Sequence, residues 1–221
     1  MSSYQEFIDL LKARRSIRAF KPDPLAESCV EQIIEAARWA PSGGDSQPWE
    51  FVVIRGQELK EKVVALFMKA SEHTFRREQD NDPDLKRDYM VLPVAEPKFK
   101  QAPVFILALG DPRTSIAFPL RVKETKADKV LNSSLASAFL CMHLAARSLG
   151  LGSQWVSAIG DVTIEKELKG LLGIPARMKI YDMMAVGYPA YDLGPRSPRD
   201  IEEMTHYEGF QKDKYRSEQQ I

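Results

Sequence analysis

Between residues 128 and 149, apolar or small side chains occupy almost every side of a helical wheel. They are Val130, Leu135, Ala138, Leu140, Met142, Leu144, Ala145 and Leu149, with Ser133, Ser134, Ala136 and Ser137 between them. A helix that is apolar nearly all round does not rest on a surface. It belongs in a central core or at a contact between subunits. Gly150 follows as its C-terminal stop. Any fold for this chain must therefore wrap other elements around this helix.

Those other elements are legible by period. Phe7, Ile8, Leu10 and Leu11 predict an amphipathic helix over 4–14. Ser28 with Glu31 reads as a capping box opening a second helix, whose inner face is Val30, Ile33, Ile34 and Ala37. Leu59, Val63, Leu66, Phe67 and Ala70 predict a third, and 163–172 a short one closed by Gly173 and Pro175. Strands are predicted at Trp49–Ile54, Pro103–Leu109, Gln154–Ala158 and Ile180–Val186, and an extended segment at Ser16–Phe20. Residues 41–48 and 110–127 read as loops. The charged, proline-punctuated stretch 71–100 reads as a surface excursion, and residues from about 190 to 221 as an extended arm. Helices and strands mix, and 221 residues suit one domain covering 1–221.

Composition narrows the function classes. Lys+Arg and Asp+Glu are both 31, so the net charge is zero, which argues against nucleic acid or an anionic membrane as the main partner. The longest strongly apolar run, Val104–Leu109, is far shorter than the ~20 residues needed to cross a bilayer. Two cysteines, Cys29 and Cys141, make neither a disulfide scaffold nor a zinc ribbon. His73, His143 and His206 stand at no metal-binding spacing, so no metal is expected. There is no phosphate-binding P-loop and no nucleophile elbow. Gly150-Leu-Gly152 follows a helix instead of a strand, which removes the Rossmann reading. The expectation is a cytoplasmic, reduced, soluble protein.

Three clusters remain. Arg14, Arg15 and Arg18 around Ser16 are able to clamp a phosphate, or else form a solvated helix end favoured by the helix dipole. Arg196 and Arg199 are a second basic pair, or a solubilising tail. Ala40-Pro41-Ser42-Gly43-Gly44-Asp45-Ser46-Gln47-Pro48-Trp49 offers two glycines for close approach to a flat ligand, or is a plain helix-to-strand loop.

Taken in order, Arg-Arg-Ser-Ile-Arg-Ala-Phe, Ala-Pro-Ser-Gly-x-x-x-Gln-Pro-Trp, Leu-Gly-Leu-Gly-x-x-Trp and an arginine-bearing arm resemble the FMN-dependent nitroreductase family over about residues 7–208. That resemblance implies an α+β fold, a three-layer sandwich with a central, mainly antiparallel sheet flanked by helices, in an intertwined homodimer. It implies FMN as cofactor, with NADH or NADPH passing hydride to flavin N5. A nitroaromatic, quinone or similar flat acceptor then takes the same place in a ping-pong cycle.

Related flavin chemistry on the same scaffold stays open: reductive dehalogenation, ene-type reduction, flavin fragmentation, or a flavin sensor without turnover. The resemblance further implies that Arg14, Arg15, Ser16 and Arg18 form the family's first FMN segment, with Arg14 and Ser16 facing the phosphate and ribityl chain and Arg18 at the pyrimidine edge. Pro41, Ser42 and Gly43 would pack on the partner's flavin. Ser157 and Ala158 would reach N5 and O4, and Arg196 and Arg199 would close over the phosphate. Catalysis would be centred on the flavin, with no catalytic side chain. Asp45 departs from the asparagine usual in that family, and Lys98 lies roughly where a further cation is sometimes found.

Overall fold

The computed structural model describes residues 3–81, 96–194 and 196–212. In chain order, the helices are α1 (Tyr4–Ala13), α2 (Glu27–Arg38), α3 (Gln57–Asn81), α4 (Leu120–Ser148), α5 (Val162–Leu172) and a short α6 (Ile201–Met204). The strands are β1 (Trp49–Ile54), β2 (Val104–Gly110), β3 (Gly152–Val156) and β4 (Lys179–Gly187). Strand order is β1-β2-β4-β3, antiparallel throughout. This is the expected α+β class.

The alternation of side chains across the sheet builds two cores. On one face Ile54, Phe105, Leu107, Leu109, Met183 and Ala185 pack beneath α3 and α5. On the other, Val104, Ile106, Ala108, Met184 and Val186 pack against α2 and α4. The helices cover both faces, so β2 is buried at every residue and reads as a continuous apolar run. The layers are therefore helices, sheet, helices. In α4 the buried side chains are Leu131, Ser134, Leu135, Ala138, Phe139, Met142, His143 and Ala146, a stripe at helical spacing. Leu140, on another side of the same helix, is exposed.

Several boundaries depart from the sequence expectation. The third strand is Gly152–Val156, not Gln154–Ala158, because Ser157 and Ala158 turn into a 3-10 segment. Residues 110–127 are not a loop. A 3-10 segment at Pro112–Ala117 leads directly into α4, which begins at Leu120. Its first turns carry Leu120, Arg121, Lys123, Glu124, Lys126 and Ala127, good helix formers without apolar periodicity. Ser28 is not a cap: α2 starts at Glu27 after Ala26, without a side-chain hydrogen bond at its start. Helix α3 continues to Asn81, into the stretch expected to be a surface excursion. The remainder of that excursion from 82 to 95, and the end of the arm from 213, lie outside the described residues.

Candidate functional site

Helix α1 ends at Ala13, and Arg14 leaves it in an extended conformation while its N–H still bonds Leu10 O. The next residues lie along the sheet edge. Ser16 bridges Ser153 in parallel, Ile17 N donates to Ser153 O at 3.0 Å, and Lys21 N donates to Tyr188 O at 2.9 Å. The approach is close because Gly152 has no side chain. A Cβ there would sit 2.9 Å from three carbons of Ile17. The segment is thus clamped between β3 and the chain leaving β4, with Ile17 and Phe20 buried beneath it.

This clamp brings cations together. Arg14, Arg15, Arg147, Ser153 and Asp192 line one depression, and Arg14 and Arg196 line an adjoining cleft of about 570 Å³ with Ile8, Leu11 and Lys12. The Arg14 guanidinium is pushed below the usual arginine range by burial first, then by the charges of Arg196 and Arg15. Arg14, Arg15, Arg147 and Arg196 have no ion-pair partner among the described residues. Arg15 Nη1 is buried without a hydrogen-bond partner. A buried guanidinium N–H without an acceptor is costly. The cluster could hold an anion that presents several oxygens, as a phosphate monoester does.

The other expected site residues lie elsewhere on the chain. Pro41, Ser42 and Gly43 lie in the turn between α2 and β1, where Gly43 packs on α4 and Pro41 is exposed. Gly43 N donates to Ser134 Oγ at 3.1 Å, and Ser42 Oγ accepts from Gln47 N at 3.0 Å. A Cβ on Gly43 would stand 2.1 Å from Val130 Cγ1. Asp45 adopts a left-handed φ of 51°, a conformation Asn and Asp tolerate, and its carboxylate accepts from Gln47 Nε2. Ser157 and Ala158 are exposed in the 3-10 turn that follows β3. Arg18 is exposed, and its backbone N–H points to Tyr191 Oη at 3.4 Å. Arg199 donates to Glu203 O at 3.1 Å, within the arm itself. Lys98 is exposed in the 3-10 turn before β2.

Behind the arginines lies a polar pair inside the core. His143 and Ser153, both almost fully buried, are hydrogen-bonded through Nδ1 and Oγ at 2.7 Å, and His143 Nε2 has no partner. Burial, with a smaller contribution from Arg14, holds the imidazole pKa down at about 3, so it stays neutral. Its ring stacks on Trp155, with centroids 5.5 Å apart and planes 8° apart. Trp155 Nε1 in turn donates to Asp182.

Sequence reasoning missed Arg147, His143 and Asp182. Arg147 sits three residues before Gly150 and passes for an ordinary cation at a helix C-terminus.

The sequence profile of the Nitroreductase family matches residues 11–188. The chain belongs to the nitroreductase family. Among its relatives is a protein of Archaeoglobus fulgidus, provisionally named an NADH dehydrogenase/NAD(P)H nitroreductase. It is 28% identical over 185 residues, covering 84% of this chain and 86% of its own. Iodotyrosine deiodinase of Danio rerio is 28% identical over 198 residues, covering 85% of this chain and 61% of the deiodinase. A nitroreductase of Bacteroides fragilis, solved with bound FMN, has the same fold at a TM-score of 0.68 and 24% identity, covering 92% of this chain and 99% of that one. As a nitroreductase-family protein, the chain carries the first family segment and the Leu-Gly-Leu-Gly turn side by side, joined through Ser16, Ile17 and Ser153.

Proposed function

We propose that this nitroreductase-family chain binds FMN and uses NADH or NADPH to reduce a flat organic acceptor, a nitroaromatic or a quinone. The observation that carries the reading is the uncompensated arginine cluster, above all the buried and unpartnered Nη1 of Arg15. Arg14, Arg15 and Arg196, with Ser16 beside them, would hold the phosphate, and Arg147 would add a fourth positive charge from the end of α4. Bound there, FMN would supply reversible two-electron hydride chemistry, which no side chain of this chain supplies. Arg18 would favour negative charge growing at the pyrimidine edge. Arg199 would join the phosphate only after exchanging its Glu203 partner.

The site is completed by a second copy of the chain in this reading. The exposed apolar side chains of α1 (Tyr4, Phe7, Leu11) and of the arm (Ile201, Met204, Tyr207, Phe210) support it, because a single chain leaves them uncovered. Pro41, Ser42 and Gly43 would then meet the partner's flavin.

The test is direct. Purified protein is expected to carry yellow flavin and to oxidise NADH or NADPH when menadione or a nitrofuran is added. A colourless protein that takes up no FMN would sink the reading. The similarity to iodotyrosine deiodinase favours one alternative acceptor class, halogenated phenols, so the acceptor panel includes 3-iodotyrosine. Iodide release faster than menadione or nitrofuran reduction would move the assignment to reductive dehalogenation.

A further inference from the structure

The flavin reading places two segments of this chain against the cofactor, a phosphate-facing one that runs from Arg14 to Arg18 at the pyrimidine edge, and a ring-facing one at Ser157 and Ala158. Both rest on the same buried imidazole. At one edge His143 Nδ1 is hydrogen-bonded to Ser153 Oγ, and Ser153 O receives the Ile17 N–H that holds the arginine segment to β3. On its face His143 stacks against Trp155, which leads through Val156 into Ser157 and Ala158. Phe139, one helical turn earlier in α4, closes edge-on against both rings, with centroids 5.1 Å from His143 and 4.6 Å from Trp155.

We infer that His143 is a positioning residue that holds the phosphate-facing and ring-facing segments in one register. The proposal rests on the FMN reading for its consequence and on the geometry for its cause.

An ordinary core filler explains less. His143 is 2% exposed and leaves Nε2 without a partner, an arrangement a leucine would avoid at no polar cost. Retaining a half-satisfied imidazole at this depth is accounted for by its two contacts, which leucine supplies neither of. The group does not serve as an acid or base, since burial and the nearby Arg14 keep it neutral across the working pH range. Its contribution is direction: a hydrogen bond at one edge and a flat face on the other side of the same ring.

The two contacts are separable by substitution. His143→Phe keeps a flat ring against Trp155 and removes the bond to Ser153. Ser153→Ala removes the same bond with a smaller change in volume. His143→Asn keeps a hydrogen-bonding group near the Nδ1 position and removes the stack. A net hydrogen bond of this kind corresponds to an about three- to tenfold change in an equilibrium.

His143→Phe and Ser153→Ala are each expected to weaken FMN binding by about three- to tenfold, and the double variant to lose no more than the worse single one. The midpoint potential of the protein that remains loaded is expected to stay unchanged in both. His143→Asn is expected to bind FMN within about twofold of wild type, with a shifted midpoint potential and altered Trp155 fluorescence.

Amide hydrogen exchange at Ile17, measured without flavin, tests the brace independently of the cofactor. Exchange is expected to quicken in His143→Phe and Ser153→Ala and to keep its wild-type rate in His143→Asn. Wild-type exchange at Ile17 in both of the first two variants overturns the proposal, whether or not FMN binds. Wild-type FMN affinity in both overturns it equally. A wild-type chain that binds no FMN overturns the flavin reading instead, and leaves the exchange result to decide the brace.

Discussion

Trp155 Nε1 donates to the Asp182 carboxylate at 2.5 Å, and no cation stands beside that carboxylate among the described residues. Asp182 is buried in β4, next to Tyr181, where the β2–β4 register shifts opposite Ala108 and Leu109. Burial pushes its pKa up to about 6, and the indole N–H offsets only part of that. Between its ordinary value of 3.8 and about 6, the folded chain holds a proton that the unfolded chain has released. Stability from this group is thus present at low pH and lost as pH rises through about 6. Asp182→Asn keeps an acceptor for Trp155 and removes the charge. It is expected to raise stability by about 1–3 kcal/mol at pH 8, with the gain disappearing below about pH 4. Urea titrations across that range check it, and a pH-independent difference would mean that packing, not charge, sets the effect.

His143 runs in the opposite direction. Its folded pKa of about 3 lies below the ordinary 6.5, so the unfolded chain binds more protons across that window. Stability from the neutral imidazole is full above 6.5 and falls as the solution is acidified toward 3, at most ~1.4 kcal/mol per pH unit. His143→Phe is expected to flatten the acid limb of the stability profile, while Asp182→Asn steepens it between about 4 and 6. Denaturant midpoints for the two variants at pH 4.5, 5.5 and 7 separate these effects. Parallel profiles for wild type and His143→Phe would place the acid sensitivity elsewhere.

Arg14 tests the anion site. Charge-assisted hydrogen bonds to a phosphate are each worth about 1.5–3 kcal/mol. Arg14→Ala is expected to weaken FMN binding at least about tenfold. In the flavin-free protein the same change is expected to be neutral or mildly stabilising, since it removes repulsion with Arg196 and Arg15. Flavin release on dilution and thermal melts with and without FMN measure the two effects. Loss of stability without loss of FMN affinity would make the cluster a structural feature of the α1 terminus.

The sequence exposes some of this and hides the rest for identifiable reasons. Strand β2 is legible because helices cover both of its faces, which forces six apolar residues in a row. The arginines at 14, 15 and 18 are legible by density alone. The first turns of α4 are not, because Arg121, Lys123, Glu124 and Lys126 give them the polarity of a loop although their propensity is helical. Arg147 and His143 escape for a different reason. Each becomes a site residue only when α4 turns through Gly150 and lays β3 beside the segment after α1, a tertiary event with no local signature.

Gly152 is where that tertiary event is most exposed to test. Its added Cβ would meet Ile17 Cβ, Cγ1 and Cγ2 at 2.9 Å, and Ile17 is buried, so neither side has room to give. Gly150, two residues earlier, has a φ of 74° but open space around it. Alanine at 150 therefore meets only the left-handed backbone cost, about 1 kcal/mol. Alanine at 152 adds overpacking of about 1–3 kcal/mol and pushes residues 16–18 away from β3. Gly150→Ala is expected to lower stability while leaving FMN affinity intact. Gly152→Ala is expected to lower both, because the Ile17 N–H to Ser153 O bond that aligns Arg14, Arg15 and Ser16 lies at the point of conflict. Adding Ile17→Ala to Gly152→Ala removes two of the three close carbons and is expected to recover part of the FMN affinity. Equal FMN binding by the two single variants at matched folded fractions would mean that the 14–18 segment finds its place without the close approach at Gly152.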